Sequence, residues 1–187
     1  MNNSNEVTIG SQVWMVENLN VDKFRNGDPI PEVKTDEEWV RAGKKGEPAW
    51  CYYNNDPGKG EKYGKLYNWY AVNDPRELAP DGWRVSKDLD WKKLAFFLGK
   101  ENLAAKLKSI NDWRGYGNNS SVFSALPGGC RQYNGFFILT GLNGFWWSST
   151  ELNELIAHSR SIKYDRNDLL VITDYKVSGL SVRCVKL

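Results

Sequence analysis

Ser86-Lys87-Asp88-Leu89-Asp90-Trp91-Lys92-Lys93-Leu94-Ala95-Phe96-Phe97-Leu98-Gly99 carries the clearest helical signal in the chain. Trp91, Leu94, Ala95 and Leu98 recur at i, i+3, i+4 and i+7, which places them on one buried helix face. Ser86 has the side chain of an N-cap, and Gly99 supplies a stop. A second helix is expected over about Glu101 to Lys108, with Leu103, Ala104 and Leu107 on one side. After Trp113 the texture changes. Gly, Asn and Ser become common, and short β-type runs alternate with turns: Ser121 to Leu126, Phe136 to Thr140, Phe145 to Thr150, Ala157 to Tyr164, Leu169 to Thr173 and Ser181 to Leu187. Toward the N-terminus, Val7 to Val16 reads as two strands turned at Gly10–Ser11. Thr35 and Glu38 form a capping box for a short helix that Gly43 is expected to stop. Asn26-Gly27-Asp28-Pro29 and Asn54-Asn55-Asp56-Pro57-Gly58 are turn chemistry, and Leu66 to Val72 reads as strand or helix. Helices early and strands late give an α+β chain, with short helices packed on antiparallel strands and a loop- and turn-rich second half.

The 187 residues suffice for one domain with a hydrophobic core, and no linker divides them. Residues 1–187 are therefore read as a single domain, with 1–6 outside its ordered part. The net charge of +2 is small and the basic residues are scattered, the longest runs being pairs such as Lys44–Lys45, so no nucleic-acid partner is expected. Nine Trp and nine Tyr are the compositional anomaly. Large amphipathic rings serve cores and contact surfaces alike, and most are expected in the core. No apolar run approaches the roughly 20 residues that span a bilayer. Met1 to Glu6 is polar and Asn-rich, without the basic-then-apolar order of a signal peptide. Cys51, Cys130 and Cys184 are far apart in sequence and read as buried free thiols.

The inventory for catalysis is thin. The one histidine, His158, lies in Ala157-His158-Ser159-Arg160 with no nucleophile motif beside it. One His and three dispersed Cys do not give a zinc spacing. Asn54, Asn55 and Asp56 carry oxygen ligands of the calcium type, but such a loop reads first as a turn. Gly128–Gly129 lacks the pattern of a phosphate loop, and Arg131 beside it is a candidate buried cation paired with a carboxylate. Asp88 with Asp90, and Glu151 with Glu154, read as helix-dipole or solvated acids. No catalytic residue, metal site or cofactor is expected.

Six ordered blocks carry a resemblance. They are Ile9 to Leu19 (Ile-Gly-Ser-Gln-Val-Trp-Met-Val-Glu-Asn-Leu), Tyr63 to Trp69 (Tyr-Gly-Lys-Leu-Tyr-Asn-Trp), Ala79 to Ser86 (Ala-Pro-Asp-Gly-Trp-Arg-Val-Ser), Phe123 to Gly129 (Phe-Ser-Ala-Leu-Pro-Gly-Gly), Gly144 to Glu151 (Gly-Phe-Trp-Trp-Ser-Ser-Thr-Glu) and Gly179 to Val185 (Gly-Leu-Ser-Val-Arg-Cys-Val). From about Val7 to the C-terminus the chain resembles the Fibrobacter succinogenes major paralogous domain family. It departs at Cys130, where the family typically has Tyr, and at Leu180, where it typically has Phe. It also lacks the visible export signal of many members. The resemblance implies a C-type-lectin-like fold and an extracellular or cell-surface location. The same fold houses formylglycine-generating enzymes, which need a close pair of reactive cysteines. Cys184, in a terminal strand, and Cys51 and Cys130, in no catalytic motif, do not supply one.

The resemblance further implies that ligands meet the later part of the chain, here about Glu151 to Ser178. Ala157, Arg160, Ile162, Tyr164 and Lys176 match the family framework. His158, Ser159, Ser161, Lys163, Arg166, Asp168, Leu170, Ile172 and Asp174 fall where members differ, and strand alternation is expected to turn them outward as the ligand-binding set. Related lectin-like domains include targets of diversity-generating retroelements. The leading expectation is a non-catalytic adhesin or receptor-recognition domain whose ligand is a glycan or a surface protein. The alternatives are an assembly module of a cell-surface or tail-fibre complex and an enzyme of unrecognised type. In the scaffold, Trp91 is expected in the main core. Cys184 is expected on the buried face of the last strand, with Arg183 on the opposite face.

Overall fold

The computed structural model describes residues 5–187. Val7 lies in β1 (Glu6–Ile9), which turns through Gly10 at φ +63° into β2 (Gln12–Met15), as the Gly–Ser turn predicts. Glu6 belongs to β1. The expectation for residues 1–4 falls outside the described part of the chain.

α1 (Asp36–Lys45) begins at the expected N-cap, with the Thr35 hydroxyl accepting from the Glu38 N–H at 3.2 Å, while the Glu38 side chain makes no return bond, so only half of the expected box forms. It does not end at Gly43. Gly43 is buried mid-helix because a Cβ there would lie 2.2 Å from Cγ1 of Val177, and Gly46, at φ +69°, makes the actual stop. After β3 (Trp50–Cys51) and a 3₁₀ turn (Tyr53–Asn55), the expected loop becomes a helix start. Asp56 caps α2 (Pro57–Tyr63), accepting from Gly58 N–H at 2.9 Å, and Pro57 stands in the first turn. Leu66 to Val72 is both strand and helix: β4 (Leu66–Tyr67), then α3 (Trp69–Val72) capped by Asn68.

β5 (Trp83–Val85) leads into α4 (Asp88–Leu98). Trp91 and Leu94 are fully buried, Ala95 and Leu98 pack against the same core, and Gly99 ends the helix as expected. The cap is not Ser86, which the sheet absorbs: its N–H donates to Arg183 O and its carbonyl accepts from Ser149. Asp90 takes the capping role from inside the helix, accepting the Lys87 N–H at 2.7 Å. α5 (Leu103–Leu107) follows. Ser121 to Leu126 forms no strand. Val122 and Ser124 sit at φ +60° and +55°, which breaks the pleat, and Ala125 makes one isolated bridge to Lys108. The remaining strands are β6 (Cys130–Arg131), β7 (Phe137–Ile138), β8 (Asn143–Glu151), β9 (Ile156–Lys163), β10 (Leu170–Tyr175) and β11 (Cys184–Lys186).

The result is a mixed α/β domain of several small antiparallel sheets and a few short helices. One sheet runs β1-β2-β11-β5, so the last strand is inserted beside the first hairpin; another runs β10-β9-β8, and β3-β4 and β6-β7 are two-stranded. Strand alternation along β8 divides the interior. Trp146 enters one core with Trp14, Trp91 and Phe123, while Trp147 enters another with Tyr67, Trp69 and Leu180. A smaller cluster gathers Trp39, Cys51 and Leu66. Gly144 makes room for this arrangement, since a Cβ on it would come within 2.2 Å of the Trp146 ring. Among the described residues, no helix is long and apolar enough to cross a membrane.

Candidate functional site

The six sequence blocks meet at one buried polar centre. Asn18 Oδ1 accepts from Trp146 Nε1 at 2.8 Å and from Arg183 NH2 at 3.0 Å, while its amide donates to the Tyr63 carbonyl at 2.9 Å. The Arg183 guanidinium also donates to the carbonyls of Met15, Val16 and Phe123, and it lies 4.4 Å over the Phe123 ring. The Arg183 carbonyl accepts from Ser86, so all six blocks touch this residue or its partner Asn18. Arg183 and Cys184 are both inaccessible. The expectation that only the Cys face of the terminal strand is core fails because β11 lies between two cores, and the Arg side is satisfied by main-chain acceptors instead of water. Burial pushes Arg183 down to about 9, so it still carries its proton at neutral pH. These residues are framework, and their chemistry is used up internally.

Two more buried arginines act in the same way. Arg131 lies between Trp39 and Phe137 and meets Asp36 Oδ1 at 3.1 Å, which is the carboxylate pairing expected of it. Arg160 pairs with Asp88 at the start of α4. The thiols of Cys51, Cys130 and Cys184 are all buried and pushed up to about 12, chiefly by burial.

The Glu151–Ser178 segment is sorted by its register. Ala157, Arg160, Ile162 and Lys176 of the matched framework are buried, and the fifth, Tyr164, is half-buried. Ser159 and Ser161, expected outward, are completely buried. β9 is the middle strand, so each small serine lies between larger cross-strand neighbours: Ser161 between Phe145 and Leu170, and Ser159 between Trp147 and Ile172. On β10 the phase is opposite to expectation. Leu170, Ile172 and Asp174 are half-buried on the face shared with those serines, while Val171, Thr173 and Tyr175 are exposed. His158 is half-buried opposite Thr173, with its Nδ1 buried and without a partner. Lys163 is half-buried at the far end of β9. Arg166 and Asp168 pair with each other at 2.9 Å in the connecting loop. The guanidinium hydrogen bond holds the Asp168 carboxyl below its ordinary value.

Of the nine expected residues, Asp174 lines a concave site. A cleft of about 410 Å³ opens where β10 meets the β6–β7 hairpin. Phe145, Ile138 and Cys130 give it apolar walls, and Tyr133 and Tyr175 stand together beside it, edge to face at 5.1 Å. Both rings are more than half exposed, at 53% and 52%. Asp174 Oδ2 accepts from the Ser159 hydroxyl at 2.6 Å. Burial raises the Asp174 carboxyl above its ordinary value, and the serine bond offsets only part of that. Among the described residues it has no ion-pair partner. The aromatic pair escaped sequence reasoning because Tyr133 and Tyr175 lie 42 residues apart and no local pattern joins them. The phase of β10 was open to correction from Lys176, whose place in the framework turns its neighbour Tyr175 outward. A second exposed apolar group lies on the outer side of α4, where Leu89, Phe96 and Phe97 face away from the Trp91 core.

Fold and site together define a mixed α/β domain whose recognisable residues build the interior. The chain belongs to the Fibrobacter succinogenes major domain family, whose model matches residues 7–186. No curated protein and no solved structure matches it.

Proposed function

We propose that this is a non-catalytic ligand-binding domain of the adhesin or receptor-recognition type, built on the C-type-lectin-like fold and displayed outside the cell. Its ligand is a glycan or a surface protein, and its contact surface is centred on β10. The observation that carries this reading is the exposed Tyr133–Tyr175 pair beside the Asp174 cleft. Solvent-facing aromatic rings next to a concave polar site are the usual composition of a contact surface. The family's association with surface and secreted proteins supports the location. High thiol pKa values in all three cysteines argue against a thiolate nucleophile.

The test is a glycan array and a surface-protein screen run with the wild-type domain and two double variants. Tyr133→Ser with Tyr175→Ser removes the β10 aromatic pair; Phe96→Ser with Leu89→Ser removes the exposed group on α4. Binding abolished by the first and retained by the second is the expected result. The reverse pattern overturns the proposed surface. Assembly is the second reading, favoured by one observation: β10 is an edge strand whose outward residues include Val171, 60% exposed, and it offers main-chain groups to another strand. Sedimentation showing a concentration-dependent dimer that Val171→Lys abolishes would move that reading ahead.

A further inference from the structure

We propose that the cleft beside Asp174 binds a protonated primary amine on an alkyl chain, the group that a protein ligand presents as a lysine side chain. The inference deepens the recognition reading and rests on it for the identity of the partner as a protein.

The argument begins with what Asp174 lacks. One carboxylate oxygen accepts from the Ser159 hydroxyl, and Asp174 has no hydrogen bond from a cation among the described residues. The other residues lining the cleft contribute amide, hydroxyl, thiol and apolar groups, so Asp174 is its one charged side chain. Arg131 follows the lining residue Cys130 and Arg160 stands opposite Val171 on β10, but each is already committed, Arg131 to Asp36 and to main-chain carbonyls and Arg160 to Asp88. Lys176, two residues from Asp174, is taken by Glu151 and by the face of Trp69. Elsewhere the fold pairs its buried acids: Asp88 and Asp90 each meet an arginine. Half-buried Asp174 has no such partner among the described residues, and it lines a cavity.

Burial raises the Asp174 carboxyl, which means that the ionised form is short of partners. An ammonium group supplies opposite charge and three N–H donors to the carboxylate at once. The neighbouring Tyr133 and Tyr175 rings add attraction for a cation that a neutral hydroxyl would not receive to the same degree. The apolar walls from Ile138, Ile156 and Phe145 suit the methylene stem behind the charged head. The volume, about 410 Å³, lies within the range of roughly 300–1,000 Å³ typical of small-ligand sites. The same molecule shows how it treats such a group internally: the Lys65 ammonium lies 4.4 Å from the Trp50 ring centre, against Tyr52 as well.

The experiment titrates the folded domain with Nα-acetyl-lysine N-methylamide and with its 6-hydroxynorleucine analogue, in which a hydroxyl replaces the ammonium. Amide NMR shifts locate the binding. The lysine probe is expected to shift Gln132, Thr173, Tyr175 and Ser178, and the hydroxyl analogue to bind at least tenfold more weakly. Asp174→Asn keeps the shape and an acceptor for Ser159, and the same spectra show whether it is folded; it is expected to erase the preference for lysine. Equal binding of the two probes, unchanged preference in folded Asp174→Asn, shifts that map elsewhere, or no binding at tens of millimolar would each overturn the proposal. The outcome is separable from that of the recognition reading. A ligand found by the screen whose binding survives Asp174→Asn leaves the β10 surface standing and removes the amine site.

Discussion

Arg183 holds a charge where no water reaches and no carboxylate touches it, so its stability depends on main-chain oxygens and Asn18. Arg183→Met fills a similar volume but leaves three carbonyls without their donor. Leaving buried acceptors unpaired costs roughly 1–3 kcal/mol each, so a loss of at least about 3 kcal/mol is expected, read as a lower urea midpoint. Arg183→Lys should recover only part of it: the three carbonyls converge on one guanidinium nitrogen, where an ammonium can meet them, but the bonds from the other two nitrogens to Asn18 are lost. Two aspartates give a sharper residue-scale contrast. Burial works against ionised Asp90, but hydrogen bonds from Arg84 and the Lys87 N–H outweigh it and hold the carboxyl below 3.8. Its contribution is present above that value and lost as the pH falls through the lowered one. Asp174 is raised above 3.8, so the folded state holds its proton more tightly than the unfolded chain. Stability therefore falls as the pH rises from about 3.8 through the raised value. Asp90→Asn should lower stability at neutral pH by about 2 kcal/mol, with the difference shrinking in acid. Asp174→Asn should raise the melting temperature at pH 7, with the gain vanishing below about pH 4. Melting curves of both variants from pH 3 to 8 check the two signs. A neutral-pH loss in Asp174→Asn would mean that its charge is compensated within the fold.

At the scale of elements, α1 shows where local rules give way to packing. A glycine inside a helix ordinarily costs about 1 kcal/mol relative to alanine. Gly43→Ala is nevertheless expected to destabilise by about 1–3 kcal/mol, as overpacking does, because the new Cβ would meet the Val177 methyls at 2.2 and 2.7 Å. Adding Val177→Ala should return part of the loss, and a double-mutant cycle in urea measures the coupling. Additivity of the two changes would show that the contact is not the cause. The same element marks the boundary of what sequence made legible. Thr35 and Glu38 announce the start of α1 because a cap is a local hydrogen bond. The stop is misplaced because the reason for Gly43 is a valine 134 residues away. β9 and β10 repeat the lesson. Their existence shows in composition, but the fate of Ser159 and Ser161 depends on which residues stand opposite on two other strands. The Asp174 cleft is less legible still, since the β6–β7 hairpin and β10 that meet there are far apart in the chain. The family resemblance pointed to the Glu151–Ser178 segment, yet pairing register decided which of its residues reach solvent.

For the whole molecule, the decisive feature is that its two main cores share their walls. Trp146 and Trp147 are adjacent on β8 and enter opposite cores; Cys184 and Val185 do the same on β11. The cores are therefore not two subdomains. Opening either would strip one face from strands that the other needs, and β11 also ties the N-terminal hairpin to β5. Such coupling predicts one cooperative transition for the described chain. Trp91→Ala damages only the first core and Trp147→Ala only the second, and each should cost about 3–5 kcal/mol as a buried aromatic truncation. In a domain of this size about 1 kcal/mol moves the melting temperature by roughly 2–4 °C, so drops on the order of 6–20 °C are expected. Both variants should retain a single transition, with calorimetric and van 't Hoff enthalpies in agreement and with fluorescence and near-ultraviolet circular dichroism melting together. Two separated transitions in either variant, with one core unfolding at its wild-type temperature, would show that the shared strands do not couple them. The β10 surface would then rest on the second core alone, through Trp147 and Ala157, and Trp147→Ala would weaken any ligand while Trp91→Ala left it untouched.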